Sequence, residues 1–363
     1  MVKELTVIIP SYNMELFLPK CLESFGIDQI RKEDGTLADA LEVIVVNDGS
    51  TDRTSEVAHR FEERFPEVVK VIDKANGNYG SCVNAALRSA TGRYVRILDA
   101  DDYFEKGEVA EYLRFSVSLH GAADLVVNDY DEVGATGKVS KVVRYGLPSD
   151  AVFPMGLLAD SDEMLDIHAI AYRREILSKM AYRQSEGILY TDVEWHSLPM
   201  SQVATVAYRP GVLTHYLVER TGQSMERDRF VGNIGMLEQM AKRLVLDFDG
   251  CQTPGSEDGR RYARKRILAL LRLIYTMALL GYMGVRAKFD LLGFDMWLKN
   301  ASRAFYDEME SSVVIGRCPF HYVTEWRRRH SDRTWRFRLA RLALNTRTFL
   351  AAGAERWHVR KKV

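Results

Sequence analysis

The sequence predicts an α/β protein: a mostly parallel sheet with helices over roughly the first 230 residues, then a basic helical extension over 231–363. Three observations predict it. Apolar runs rich in Val and Ile recur at residues 5–9, 41–46, 68–72, 94–98 and 124–128, as in strands buried on both faces. Segments with helical apolar spacing alternate with them, which implies βαβ units with right-handed crossovers. Polar clusters of Asp, Asn and Gly close the runs, so chemistry-bearing residues gather at one sheet edge, where open α/β sheets bind ligands.

Taken in order, Pro10 stops the first run, and Ser11, Tyr12 and Asn13 turn the chain into a helix predicted over 15–25. Residues 28–39 are polar and read as a loop. The second run closes in Asn47-Asp48-Gly49-Ser50-Thr51-Asp52, where Gly49 permits a tight turn and Ser50 or Thr51 can cap a helix reaching Phe65. Residues 76–81 form a glycine-rich loop that feeds a small-residue helix over 82–90. The fourth run delivers Asp99, Asp101 and Asp102, three carboxylates in four residues that repel one another unless solvated or beside a cation. Asp99 and Asp101 can turn toward one ion, and oxygen donors suit Mg²⁺ or Mn²⁺. Asp102 reads as the helix-capping member, ahead of a helix over 105–119. An isolated Asp-x-Asp is more often a solvated cap, so context has to decide.

Composition gives part of that context. Hydrophobic content of 47% and charged content of 28% suit a globular chain with a sizeable core. Net charge is zero but unevenly spread: from Gly255 onward 23 Lys+Arg face 10 Asp+Glu, leaving 27 basic and 40 acidic residues before it. An acidic N-terminal part makes nucleic acid a poor partner. Four scattered cysteines lack metal or redox spacing and point to a reducing compartment, and no signal peptide is predicted. No Gly-x-Gly-x-x-Gly follows the first strand, which argues against a dinucleotide-binding Rossmann domain.

The segments at residues 7–13 (Val-Ile-Ile-Pro-Ser-Tyr-Asn), 42–52 (Glu-Val-Ile-Val-Val-Asn-Asp-Gly-Ser-Thr-Asp) and 92–102 (Gly-Arg-Tyr-Val-Arg-Ile-Leu-Asp-Ala-Asp-Asp) resemble, in order and spacing, family 2 of the GT-A inverting glycosyltransferases. The likeness is strong over residues 3–130 and looser to about 230. It implies a donor half (1–130) and an acceptor half (131–230). Pro10 and Tyr12 then line a base pocket, and Asp48 contacts the base of a nucleotide-sugar, uridine by resemblance. Asp99 faces the ribose, Asp101 ligates Mn²⁺ or Mg²⁺ on the diphosphate, and Asn76 belongs to a donor segment reaching Asn84. Val83 departs from that pattern, which commonly has a basic residue there.

On the acceptor side, Asp192 inherits the general-base role, with Thr191 where the family usually has an acidic residue. Thr191 or Asp192 also reads as a plain helix N-cap. Glu194, facing away on a helix, and Glu186 are the weaker bases. Residues 218–225 resemble a mobile loop that closes over the diphosphate, giving Arg220 a phosphate contact and Gln223 or Ser224 a supporting one. His215 is either a third metal ligand or an ordinary strand histidine, and His168, on an apolar stretch, reads first as a satisfied core histidine.

Such a constellation implies a metal-dependent, single-displacement transfer of sugar from a nucleotide-sugar donor to a hydroxyl of a glycan, lipid-linked or polymeric acceptor. The alternative is a catalytically silent nucleotide-sugar-binding or scaffold protein, which Thr191 and Val83 would favour. A sugar nucleotidyltransferase lacks support, because its glycine-rich basic phosphate loop is missing. In the extension, the apolar run at 267–285 contains Arg272 and reads as a buried or interfacial helix rather than a membrane span. Residues 327–363 hold 12 basic and 2 acidic residues, with Trp335, Leu339, Leu342 and Phe349 on one helical face. That reads either as a peripheral membrane contact, on the inner face of the cell membrane of a cytoplasmic protein, or as a helix packed on its own domain.

Overall fold

The computed structural model describes residues 3–134, 136–218, 227–251, 253, 255–281, 286, 288–315 and 318–344. The chain divides into two compact units: Met1–Thr221 with Gln252–Ala263, and Gly222–Cys251 with Arg264–Val363.

The first unit holds β1 (Leu5–Ser11), α1 (Leu18–Glu23), α2 (Ile27–Glu33), α3 (Gly35–Asp39), β2 (Leu41–Asn47), α4 (Thr54–Arg64), β3 (Val69–Asp73), α5 (Asn78–Leu87), β4 (Tyr94–Ile97), β5 (Tyr103–Phe104) and α6 (Glu108–Ser118). It continues through β6 (Leu125–Val133), β7 (Val139–Val143), β8 (Phe153–Pro154), α7 (Gly156–Asp160), β9 (Ile170–Arg173), α8 (Arg174–Lys179), α9 (Asp192–Trp195) and β10 (Thr205–Leu217). The sheet order is β3-β2-β1-β4-β9-β6-β10-β5, with β7 on β6 and β8 on β10. Its long ladders are parallel as predicted: β1 runs in register with β2 from Leu5↔Leu41 to Ser11↔Asn47, and Asn47 faces Asp73 of β3. All residues of β1 and β2 are buried. That explains their largely apolar composition, since burying each Val or Ile side chain contributes about 1.5–3 kcal/mol. Strand β9 enters antiparallel between β4 and β6, making the sheet mixed.

Several elements differ from the sequence reading for local reasons. Residues 28–39 are largely helical rather than a loop, because Asp34 ends α2 and accepts from the Thr36 and Leu37 N–H groups that start α3. The cap ahead of α4 comes from Asp52, whose carboxylate accepts from Thr54 N at 2.9 Å, and not from Ser50 or Thr51. Four of the six residues of the glycine-rich loop, 78–81, are the first turn of α5. Residues Thr205–Leu217 form one irregular strand, β10. At its break Asp129 accepts from Tyr208 Oη (2.7 Å) and Gly211 N (3.0 Å). Gly49 behaves as expected, with φ +70° and a would-be Cβ only 2.9 Å from Asn76 N.

Arg96 is buried in the sheet, where a sequence reading sees only a polar residue in an apolar strand. Its guanidinium donates to Asn128 Oδ1 (3.1 Å), His168 O (2.9 Å) and Thr214 Oγ1 (2.9 Å). It also lies 5.1 Å and 5.4 Å from the Phe104 and Tyr112 ring centres, which offsets some of its desolvation. Strands β4, β6, β10 and the turn before β9 are thereby tied to one cation.

The second unit contains α10 (Arg227–Gly232), α11 (Ile234–Gly250), most of α12 (Glu257–Leu279), α13 (Leu291–Ala301), α14 (Arg303–Glu308), the hairpin β11 (Ser312–Ile315) and β12 (Cys318–His321), and α15 (Tyr322–Arg329). The run beginning at Ile267 is a core helix: Ile267, Leu271, Ile274 and Tyr275 are fully buried. Tyr275 donates to Asp295, which Arg327 also meets at 2.8 Å. Among the described residues no helix is long and apolar enough to cross a membrane. In the helix over 335–344, Phe337 and Ala340 are buried, whereas Trp335, Leu339 and Leu342 are exposed.

The closest approach inside the first unit is at Gly80 of α5, where a Cβ would sit 1.9 Å from Ser185 O. Gly80→Ala is expected to cost about 1–3 kcal/mol by overpacking, read as a lower melting temperature. Gly235→Ala, which meets nothing within 4 Å in α11, should leave stability unchanged or raise it.

Candidate active site

The predicted base-pocket residues share the edge beyond β1 and β2. Asp48 N donates to Ser11 O (2.9 Å), and Thr51 N donates to Asn13 Oδ1 (2.8 Å), which staples the two loops together. Pro10 lies within β1 opposite Val46, while Tyr12 is 47% exposed beside it. Asp48 is buried. Its carboxylate accepts from Gly77 N (3.0 Å) and pairs with Lys74, while Asn76 Nδ2 donates to Asp48 O (3.0 Å). Lys74 also donates to Ser81 Oγ at 2.8 Å. The sequence reading missed Lys74, although a cation directly after a strand on the ligand edge was a usable signal.

The aspartate cluster leaves β4 at the same edge. Tyr79 Oη donates to Asp99 Oδ1 at 2.7 Å. Burial, then the charge of Asp102, push the Asp99 carboxyl up to about 7 against the opposing pull of His168. Asp102 is not an exposed helix cap: it is fully buried, accepts from Leu217 N (2.8 Å) and pairs with His168 Nδ1 (3.2 Å). The helix it was expected to cap starts later, after Gly107. His168 is thus a satisfied buried histidine, and an ionic one. Burial opposes its protonation, but Asp102, then Asp166 and Asp99, outweigh that and push it up to about 9.

His215 takes other partners: Nε2 lies 2.9 Å from Glu105 and the ring stacks on Tyr103 at 4.8 Å. Among the described residues no three His, Cys, Asp or Glu side chains form a group that could hold a metal ion. Asp99, Asp101 and His215 therefore do not form one ligand set. The donor chemistry still fits a divalent cation at Asp99 and Asp101. Burial, then the charges of Asp102 and Asp101, raise the proton affinity of Asp99, a cost that a dication would relieve, with further oxygen donors completing its shell.

Asp192 is the first residue of α9, and Thr191, at the N-cap position, makes no side-chain cap bond. The segment before α9 is fastened to donor-side helix α5. Asn84 exchanges bonds with Gln184 (Nδ2 to O, 2.9 Å; Oδ1 from N, 2.8 Å), and Gly187 N donates to Gly77 O at 3.1 Å. The rival carboxylates are committed: Glu194 is buried and accepts from Ser185 N (2.7 Å) and Oγ (2.6 Å), and Glu186 accepts from Asn84 Nδ2 (2.8 Å). Burial, then the like charge of Asp166, push Asp192 up to about 6, with His168 opposing. Arg220, Gln223 and Ser224 lie outside the described residues.

Against known proteins, residues 6–180 match the model of Glycosyl transferase family 2. Over 127 residues the chain is 33% identical to "Uncharacterized glycosyltransferase MG025 homolog" of Mycoplasma pneumoniae, covering 34% of this chain and 38% of that protein. Over 235 residues it is 28% identical to "Uncharacterized glycosyltransferase YibD" of Escherichia coli, covering 61% and 63%. The chain thus spans less than two thirds of either relative's length. In three dimensions it is similar to Staphylococcus aureus TarS 1-349, solved in complex with UDP-GlcNAc. The TM-score is 0.57 at 18% identity over 95% of this chain and 91% of that one, a likeness of fold. Residues 6–180 thus resemble a family 2 glycosyltransferase domain, and the fold is of the GT-A kind.

Proposed function

We propose that this chain is an inverting glycosyltransferase that moves a sugar from a nucleoside-diphosphate donor, UDP-linked by analogy with the UDP-GlcNAc complex of TarS, to a hydroxyl of a glycan, lipid-linked or polymeric acceptor. The observation that carries it is Asp192. It is an acidic group at a helix start, on a segment clamped to the donor-side helix, with its proton affinity raised to about 6 while the neighbouring Glu194 and Glu186 are committed elsewhere. A carboxylate with a pKa near 6 is ionised at neutral pH, yet a better base than a solvated one.

In this reading Tyr12 and Asp48 receive the base. Tyr79 orients Asp99, and Asp101 and Asp99 hold Mn²⁺ or Mg²⁺. Such a cation, when bound, neutralises charge on the departing diphosphate. Asp192 takes the acceptor proton as the new glycosidic bond forms on the face opposite the leaving group, so the anomeric centre inverts without a covalent glycosyl-enzyme. Asn76 keeps the Asp48 loop closed, and Arg220 is the proposed phosphate contact. His215, with its ring engaged by Glu105 and Tyr103, braces the segment after the aspartate cluster rather than the cation.

The test is release of nucleoside diphosphate from UDP-GlcNAc, UDP-glucose, UDP-galactose or GDP-mannose with Mn²⁺, against p-nitrophenyl glycosides as acceptors. Asp192→Asn should lower kcat by about 10²–10⁴-fold and leave donor KM nearly unchanged. The wild-type kcat/KM profile should fall as pH drops through about 6, because the base must be deprotonated. Wild-type rates in Asp192→Asn would move the base elsewhere, and tight donor binding without any transfer would favour the scaffold reading. Asp101→Asn should abolish most of the stimulation by Mn²⁺; full activity in that variant, or in excess chelator, would sink the cation assignment.

We also place the enzyme at the cytoplasmic face of the cell membrane, through the exposed Trp335, Leu339 and Leu342 with Arg336 and Arg338 among them. Replacing Trp335 and Leu339 by Ser should reduce co-sedimentation with phosphatidylglycerol vesicles by roughly tenfold, with the remaining binding weakened further by salt. Equal binding by both proteins would retire this placement.

A further inference from the structure

Tyr216 is a large side chain beside the aspartate cluster that the transfer chemistry above does not use. It lies near the end of β10, half-buried, with its ring stacked on His168 at a centroid distance of 4.0 Å and an interplanar angle of 21°. His168 is itself held from several sides. Its Nδ1 meets Asp102 at 3.2 Å, its carbonyl accepts from Arg96 at 2.9 Å, and Tyr130 packs at 5.4 Å, with the Tyr130 hydroxyl donating to Asp166 (3.2 Å).

An imidazolium beneath a phenol face is a favourable cation–π arrangement, and its charge makes the phenol a better donor. The Tyr216 hydroxyl is within electrostatic reach of Asp102, Asp99, Asp101 and Asp192, in that order of strength, and together with burial they hold it neutral. Through His168 the Tyr216 phenol is thus held beside Asp102, next in sequence to the Asp101 assigned to the donor. The acceptor must enter there, because its hydroxyl has to reach Asp192. Donors are otherwise scarce in such a crowd of acceptor-only carboxylates, whereas a sugar or polyol offers oxygens that need one.

We propose that Tyr216 binds the acceptor, donating a hydrogen bond to an oxygen of the sugar or polyol next to the reacting hydroxyl. His168 is a positioning residue that fixes Tyr216 by stacking and is itself fixed by Asp102. The inference rests on the glycosyl-transfer reading. It gives the buried Asp102–His168 pair a purpose beyond stability: the pair links the loop after β4 to the end of β10, through the Leu217 N–H on one Asp102 oxygen and His168 on the other.

The experiment uses the full chain with the donor and p-nitrophenyl glycoside that wild type turns over best. Tyr216→Phe should raise acceptor KM about tenfold, the loss of one hydrogen bond, with donor KM changed by less than about twofold. His168→Gln should also raise acceptor KM, and the double variant should be no worse than about twofold beyond the weaker single variant, since one acts through the other. Calorimetric titration with UDP and Mn²⁺ reports whether each variant retains the folded donor site; if His168→Gln does not, Tyr216→Phe alone decides the acceptor contact. Unchanged acceptor KM in Tyr216→Phe, an equal rise in donor KM, or additive effects in the double variant would overturn the proposal while leaving the transferase reading intact. Absence of transfer by wild type would overturn both, so the two failures are told apart.

Discussion

Like-charge crowding at the end of β4 is the constraint that the rest of the site answers to. Asp99, Asp101 and Asp102 leave the strand within four residues, and Asp192 and Asp166 approach from the other half of the domain. At an effective dielectric of about 20, two unit charges 4 Å apart repel by roughly 4 kcal/mol. The cluster persists because each member is met differently. Asp102 has a buried imidazolium and a backbone N–H, Asp99 has the Tyr79 hydroxyl, and Asp192 keeps part of its charge in solvent. Burial, then the remaining like charge, raises the proton affinity of Asp99, Asp102 and Asp192, and at Asp99 and Asp192 a donor-bound cation and an acceptor proton would relieve it. Carboxylates shifted by burial together with a specific charge neighbour are candidates for function.

The parts of this arrangement that follow from periodicity were legible in the sequence. Strands buried on both faces are predominantly apolar, so β1, β2 and the edge they define could be read directly, and with them the position of Asp48 and of the aspartate cluster. Capping chemistry was harder, because Asp34 and Asp52 accept backbone N–H groups in segments whose polar composition also fits a loop. Long-range partners were not legible at all. Nothing local to Asp102 shows that His168 and Leu217 N arrive from distant strands, so a short polar carboxylate after a strand was read as a cap. The same limit hid Arg96, whose hydrogen-bond partners come from β6, β10 and the turn before β9.

The two departures from the family pattern bear on whether the domain is catalytic, and packing explains both. Val83 is fully buried on α5, next to the Asn84 that joins this helix to the segment before α9. A basic side chain there would have to be desolvated without a partner, at a cost of several kcal/mol. The cation on this side of the site is instead Lys74, bridging Asp48 and Ser81 at the foot of the same helix. Thr191 is likewise buried, and its carbonyl accepts from Gln184 Nε2 at 2.6 Å. A carboxylate at 191 would add like charge beside Asp192 and raise its proton affinity further. The anionic group that orders this turn is supplied three residues on by Glu194, through its two bonds to Ser185. Substitutions that keep the clamp between α5 and α9 intact, and keep Asp192 ionised, preserve what a transferase needs and a scaffold does not.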